Sequence, residues 1–188
     1  MLSRPTDADP GKASRRRFLA GVAGALAVAA VAPRPLLAGP KDERLLSFLH
    51  THTHERLTVA YFADGGYLPE GLSTLRSFLR DFRTGDEHSM DPALYDILND
   101  LRLATGAKRP FQVISGYRSP RTNAMLREAS HGVALGSMHL QGRAIDVRLA
   151  DVDSAVLRDA AIELQRGGVG YYRGPDFVHV DTGRVRRW

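Results

Sequence analysis

The chain has 188 residues, 43% of them apolar and 25% charged, enough for one well-buried domain and short for two. Its net charge of +5 invites a nucleic-acid or anionic-surface partner, but six of the 26 basic residues and only two of the 21 acids fall within residues 1–38. The rest is almost neutral and lacks the basic footprint that nucleic-acid binding needs, so no nucleic-acid partner is expected. With no cysteine, disulfides, thiolate metal sites and a cysteine nucleophile are excluded.

Ser14-Arg15-Arg16-Arg17-Phe18-Leu19 precedes an Ala-rich apolar run over residues 19–31, the order of a removable export signal. The run is short of the ~20 residues that span a bilayer, so release rather than a stable membrane anchor is expected. The paired arginines before Phe-Leu, the weakly hydrophobic core and Arg34 near its end resemble the twin-arginine class of signal. Leu36-Leu37-Ala38 offers small residues for cleavage, which divides the chain into a signal, 1–38, and a mature domain, 39–188, in the periplasm or otherwise outside the cytoplasm.

Residues 44–56 read as mixed. Residues 56–62 form a β-rich run ending at Ala63-Asp64-Gly65-Gly66. A helix over 69–82 places Leu72, Leu75, Leu79 and Phe82 on one buried stripe. Asp91-Pro92 supplies an N-cap and first-turn proline for a second helix to about Leu103. Residues 111–115 are a buried strand, Ser119-Pro120 opens a helix to about Ala129, and 131–140 is loop. A strand over 144–149, a helix over 154–165 and a hairpin of 169–172 with 177–181 complete the chain. Early helices and late strands predict an α+β single domain, a central antiparallel sheet flanked by helices.

Chemistry concentrates in two stretches. Ser137-x-His139-x-x-Gly142-x-Ala144-x-Asp146 sets a histidine and a carboxylate seven residues apart with small residues between them. In Phe177-Val178-His179-Val180-Asp181, strand alternation puts His179 and Asp181 on one face. Two histidines and one carboxylate form a catalytic zinc set, which leaves a coordination position for water and points to hydrolysis.

These residues resemble the M15 family of zinc D-Ala-D-Ala peptidases. More closely, the chain looks like the murein endopeptidase K branch, through Arg80-Asp81-x-Arg83-Thr84-Gly85, Asp91-Pro92-x-Leu94, Ser115-Gly116-Tyr117-Arg118-Ser119, Gly168-Val169-Gly170-Tyr171-Tyr172 and the His-Val-Asp strand, ending in Trp188. The resemblance spans roughly residues 44–188. It implies the Hedgehog/D-Ala-D-Ala-peptidase fold, one zinc per chain held by His139, Asp146 and His179, and hydrolysis of peptidoglycan stem peptides or cross-links. Endopeptidase and carboxypeptidase action both remain open.

In several relatives the acid three residues before the last ligand is the general base, the place of Asp176. Asp181 is the rival, with a ligand-orienting role as its alternative. Arg118 resembles the family arginine that polarises the scissile carbonyl or binds a substrate carboxylate. Ser137 is expected to cap or brace the ligand loop, and of Tyr171 and Tyr172 one should face substrate while the other packs. His50, His52 and His54 alternate as a second metal site would on a strand, but an exposed polar strand or loop is the preferred reading. His131 is expected to be structural. A different class of function, a zinc-binding wall-binding module without turnover, is compatible with the same fold.

Overall fold

The computed structural model describes residues 42–129 and 134–188. The signal segment 1–38 and His131 lie outside the described residues.

Eight strands form one mixed sheet: β1 (Arg44–His50), β2 (Arg56–Ala63), β3 (Gly66–Tyr67), β4 (Phe111–Ser115), β5 (Ala144–Leu149), β6 (Gly168–Tyr172), β7 (Phe177–Asp181) and β8 (Arg186–Arg187). Their spatial order is β3-β2-β1-β4-β5-β7-β6-β8. The expected antiparallel sheet is present at its centre, with two parallel exceptions, β1 on β4 and β8 on β6. Both exceptions involve strands that the sequence pattern does not announce.

Among the described residues four helices accompany the sheet: α1 (Pro69–Phe78), α2 (Pro92–Thr105), α3 (Pro120–Ala129) and α4 (Ser154–Leu164). The local signals act as expected at α2. The Asp91 carboxylate accepts from the Ala93 N–H at 3.0 Å, Pro92 needs no partner in the first turn, and Gly106 closes the helix at φ +67°. Helix α1 stops a turn earlier than its apolar stripe predicts. The Leu79 carbonyl is taken by the Tyr117 N–H at 2.8 Å, and the chain folds into a turn held by Asp81 from residues 83 and 85. Leu75 and Leu79 are fully buried, whereas Phe82 leaves the stripe to stack on His52.

Alternation divides the central strands into two faces. Val113, Ile145, Val147, Val178 and Val180 enter the apolar core, joined by Leu94, Leu98 and Leu101 of α2 and Leu157 of α4. Asp146 and His179 occupy the opposite phase, and a register shift between Val113 and Ser115 turns Ser115 to their side. The register sets Asp146 beside His179 on β7 and beside Ser115 across an irregularity on β4. A polar row thus crosses three adjacent strands on the face away from the core, which is where the site is built.

Candidate metal centre

Asp146 and His179 are brought together by β-pairing, and His139 comes from a different kind of element. It sits in a single 3-10 turn, Met138–Gln141, closed by Gly142 at φ +63°. A side chain at Gly142 would lie 2.2 Å from the Ser89 carbonyl oxygen, so the turn needs glycine for both its backbone angle and its packing. Ser137 adopts an extended conformation before this turn without a side-chain capping bond. Its backbone carbonyl accepts from Leu140, so the expected brace is made by main chain.

Three ligand-type atoms converge. His139 Nε2 lies 3.2 Å from both His179 Nδ1 and Asp146 Oδ1, and His179 Nδ1 lies 2.8 Å from that same oxygen. A tetrahedral ion with bonds of about 2.0–2.1 Å sets its ligands about 3.3 Å apart, close to these separations. All three residues are buried.

The outward-facing atoms decide what the inward ones carry. His139 Nδ1 is 2.7 Å from the Gly116 carbonyl, which can only accept, so Nδ1 bears the hydrogen and Nε2 presents a lone pair inward. His179 Nε2 donates to Asp181 Oδ2 at 3.1 Å, so in the neutral ring Nδ1 presents a lone pair as well. With both rings neutral, as metal binding requires, two imidazole lone pairs and a carboxylate oxygen face one another in a buried space. Such an arrangement is repulsive unless a cation lies between them, and a proton on His179 Nδ1 takes the place of the cation otherwise.

Titration follows the same logic. Burial keeps His139 neutral, lowering its pKa despite Asp146. Burial also opposes charge on His179, but hydrogen bonds to Asp146 and Asp181 outweigh it and push its pKa up to about 9. Burial works against the Asp146 carboxylate too, yet the two histidines hold it well below the usual carboxylate range. The cluster is built to gather positive charge.

Arg118, between β4 and α3, borders this cluster. Its Nη2 is 3.6 Å from Asp146 Oδ2 and 3.5 Å from Ser115 Oγ, while its backbone N–H donates to the His139 carbonyl at 3.2 Å. Its Nε is buried without a partner among the described residues, leaving one fixed donor unused. The cluster opens into a cavity of about 780 Å³ lined also by Met138, Tyr172, Arg184, Arg186 and Trp188. Tyr172 faces the cavity and Tyr171 turns to the core, where Arg158 lies 4.8 Å over its ring, as alternation predicts.

The two acids proposed as bases are placed differently. Asp176 is exposed in the turn between β6 and β7 at φ +57°, and its carboxylate accepts from the Ser154 hydroxyl at the start of α4. It is not among the residues that line the cavity. Asp181 contacts His179, but on the ring nitrogen away from the cluster, and its side chain is fully buried. Arg186 borders the site without any pattern in the sequence that marks it, and Trp188, noted only as the end of the family resemblance, joins it because β8 pairs with β6.

The chain matches, over residues 39–188, the family described as peptidoglycan L,D-endopeptidase MepK, a branch of the M15 peptidases. It belongs to that family. Among curated proteins it is similar to the peptidoglycan L,D-endopeptidase MepK of Escherichia coli (strain K12), with 40% identity over 182 residues covering 96% of this chain and all of the relative. The Shigella flexneri protein of the same name matches equally, again at 40% identity over 96% of this chain and all of the relative. A probable peptidoglycan L,D-endopeptidase MepK of Haemophilus influenzae is 39% identical over 178 residues, 93% of this chain and 95% of the relative. The family resemblance drawn from the motifs and the fold drawn from them are both borne out.

Proposed function

We propose that the chain is an exported zinc peptidase that hydrolyses L,D-peptide bonds in peptidoglycan. The observation that carries the reading is the buried meeting of two imidazole lone pairs and a carboxylate beside a fixed guanidinium, at the base of an open cavity. Kinship to MepK proteins supplies the substrate class and the bond.

His139, Asp146 and His179 would hold the metal; a zinc ion there would supply Lewis acidity and lower the pKa of water enough to make a hydroxide nucleophile available near neutral pH. Gly116 and Asp181 fix the two rings through their outer nitrogens, so each presents its inner lone pair. Arg118 lines the cavity beside Asp146 and is the group to hold negative charge developing on the carbonyl oxygen as water adds and before the C–N bond breaks. The hydroxyl of Tyr172 accepts from Trp188 Nε1 at 3.1 Å, which leaves its own hydrogen available to substrate.

Asp181 is assigned to orientation rather than to proton transfer, since five donors already fill its two oxygens. Residues 1–38 are assigned as the twin-arginine signal, in keeping with a family match that begins at residue 39. No helix among the described residues is long and apolar enough to cross a membrane.

One observation favours the second reading, a zinc-holding wall-binding module without turnover: Asp146 is the only carboxylate lining the cavity among the described residues. Digestion of purified sacculi separates the two. Zinc-dependent products whose masses correspond to cleaved L,D bonds are expected. Protein containing one zinc that binds sacculi but releases nothing would establish the module instead.

A further inference from the structure

Among the described residues, Asp181 has the most heavily bonded carboxylate. Its Oδ1 accepts from the Gly168 N–H at 3.1 Å, the Gly183 N–H at 2.8 Å and Arg186 Nη1 at 3.0 Å, and its Oδ2 accepts from Arg186 Nη2 at 2.7 Å and His179 Nε2 at 3.1 Å. The cradle excludes other backbones, because a Cβ at Gly168 would lie 2.5 Å from Asp181 Oδ2 and 2.3 Å from Arg186 Nη1. Arg186 is thus the cation bound to the carboxylate that grips the outer nitrogen of the His179 ring, as Arg118 borders the carboxylate that meets its inner one. Its guanidinium also lies 4.9 Å over Trp188, whose ring packs 5.3 Å from His179.

We infer that Arg186 is a positioning residue for the metal centre: its two-pronged clamp on Asp181 fixes the plane of that carboxylate and, through it, the angle at which His179 Nδ1 faces the metal. The inference rests on the zinc reading of the site. Burying an anion among neutral donors alone is costly, and a carboxylate free to rotate cannot hold an imidazole at one angle. Arg186 supplies both the compensating charge and the geometry. Lysine would supply only the charge, since it lacks the planar fork. Nη1 spends its hydrogens on Asp181 and the Arg184 carbonyl, and Nη2 spends one on Asp181; because Arg186 also lines the cavity, action through Asp181 is told from a substrate contact by a fall in kcat with KM unchanged.

The test measures zinc affinity of the full chain by chelator competition, alongside the visible spectrum of the Co²⁺-substituted protein. Loss of an outer partner of a metal-binding histidine typically costs 10–100-fold in metal affinity. Arg186→Gln should weaken zinc about tenfold or more and shift the Co²⁺ bands; Arg186→Lys should recover only part of either. Arg187→Gln removes the same charge next door without touching Asp181 and should change neither. Asp181→Asn should reproduce the loss, and the double variant should lose no more than the larger single one, because both act on one contact. At saturating zinc, kcat of Arg186→Gln falls while KM holds. Wild-type zinc affinity and Co²⁺ bands in Arg186→Gln would overturn the inference, as would a change confined to KM. If Arg186→Gln fails to fold, full additivity between Asp181→Asn and Arg186→Lys overturns it equally. A wild-type chain that binds no zinc defeats the zinc reading itself, and is read before any variant.

Discussion

Two groups of histidine-bearing residues occur in this chain, and the more conspicuous one in sequence is not the one that forms a cluster. His50, His52 and His54 alternate within five residues, yet β1 ends at His50 and the chain turns at once. His52 and His54 are exposed as expected, and His52 stacks on Phe82 with ring centroids 4.2 Å apart. His50 departs from the expectation of an exposed polar segment. It is 1% exposed, its Nδ1 accepts from the backbone N–H groups of residues 52 and 53, and its ring meets Phe78 and Phe82 edge-on. His139, Asp146 and His179 are spread over forty residues, and the sheet register makes them neighbours. Short spacing lets histidines satisfy their own turn. Distant ones converge only where the fold holds them, and there their lone pairs have no local donor to take them.

The sharpest way to break this comparison is to remove one histidine from each group. His179→Ala should abolish stoichiometric zinc and lower hydrolysis at least about a thousandfold, the scale of several kcal/mol of Lewis-acid stabilisation. The pair His52→Gln and His54→Gln should keep one zinc per chain, read by elemental analysis after dialysis. Loss of zinc in the second variant would reverse the assignment of the two groups. Holding a metal can also be separated from using it. Arg118→Lys keeps a positive charge but loses the fork beside Asp146, and should reduce kcat about 10²–10³-fold with zinc content unchanged. Equal losses of zinc and of rate would mean that Arg118 serves the ligand set instead.

His50 should report on stability rather than on metal. Burial, helped by the charge of His52, lowers its pKa to about 4, whereas in the unfolded chain it titrates at the ordinary value near 6.5. The folded state therefore refuses a proton that the unfolded state accepts. The full contribution of neutral His50 is present above pH 6.5, declines as pH falls towards 4 and is lost at lower pH. The size is on the order of 2 kcal/mol, from 1.36 kcal/mol per pKa unit with a discount for relaxation. Urea unfolding at pH 7.5 and pH 4.5 with chelator present should show this loss in the wild type. In His50→Gln, which cannot titrate, the difference between the two pH values should be smaller by that amount. An unchanged difference would place the pH sensitivity elsewhere.

What could be read from sequence divides along the same line. Asp91-Pro92 and Gly106 bracket α2 because caps and backbone angles are local, and the alternation of Phe177 to Asp181 foretold which side chains share a face. The cluster of His139, Asp146 and His179, which could hold a metal ion, was legible through a motif whose spacing the fold imposes. Strand β1 was not, since its apolar residues do not alternate cleanly and its parallel partner lies sixty residues on. Nor was Arg186, whose place beside Asp181 depends on one short parallel pairing and on a buried acid that no periodicity exposes. The early end of α1 escaped for a similar reason, because a carbonyl claimed from Tyr117 leaves no trace in the helical stripe.

Asp176 poses the smallest expected effect and the most direct question about proton transfer. Its spacing from His179 marks it as a base, but its carboxylate is bound to Ser154 on the first turn of α4 and lies outside the cavity lining. Asn keeps the size and tolerates the positive φ at this position. Asp176→Asn should therefore cost no more than about 1 kcal/mol of stability, the worth of one exposed hydrogen bond, and change kcat by less than about threefold. General-base catalysis is worth about 10²–10⁴-fold, so the two roles differ by more than any experimental scatter. A hundredfold loss of kcat in zinc-loaded Asp176→Asn would mean that substrate draws the turn between β6 and β7 inward, breaking the bond to Ser154. Ser154→Ala, which releases the carboxylate in advance, should then raise the rate rather than lower it.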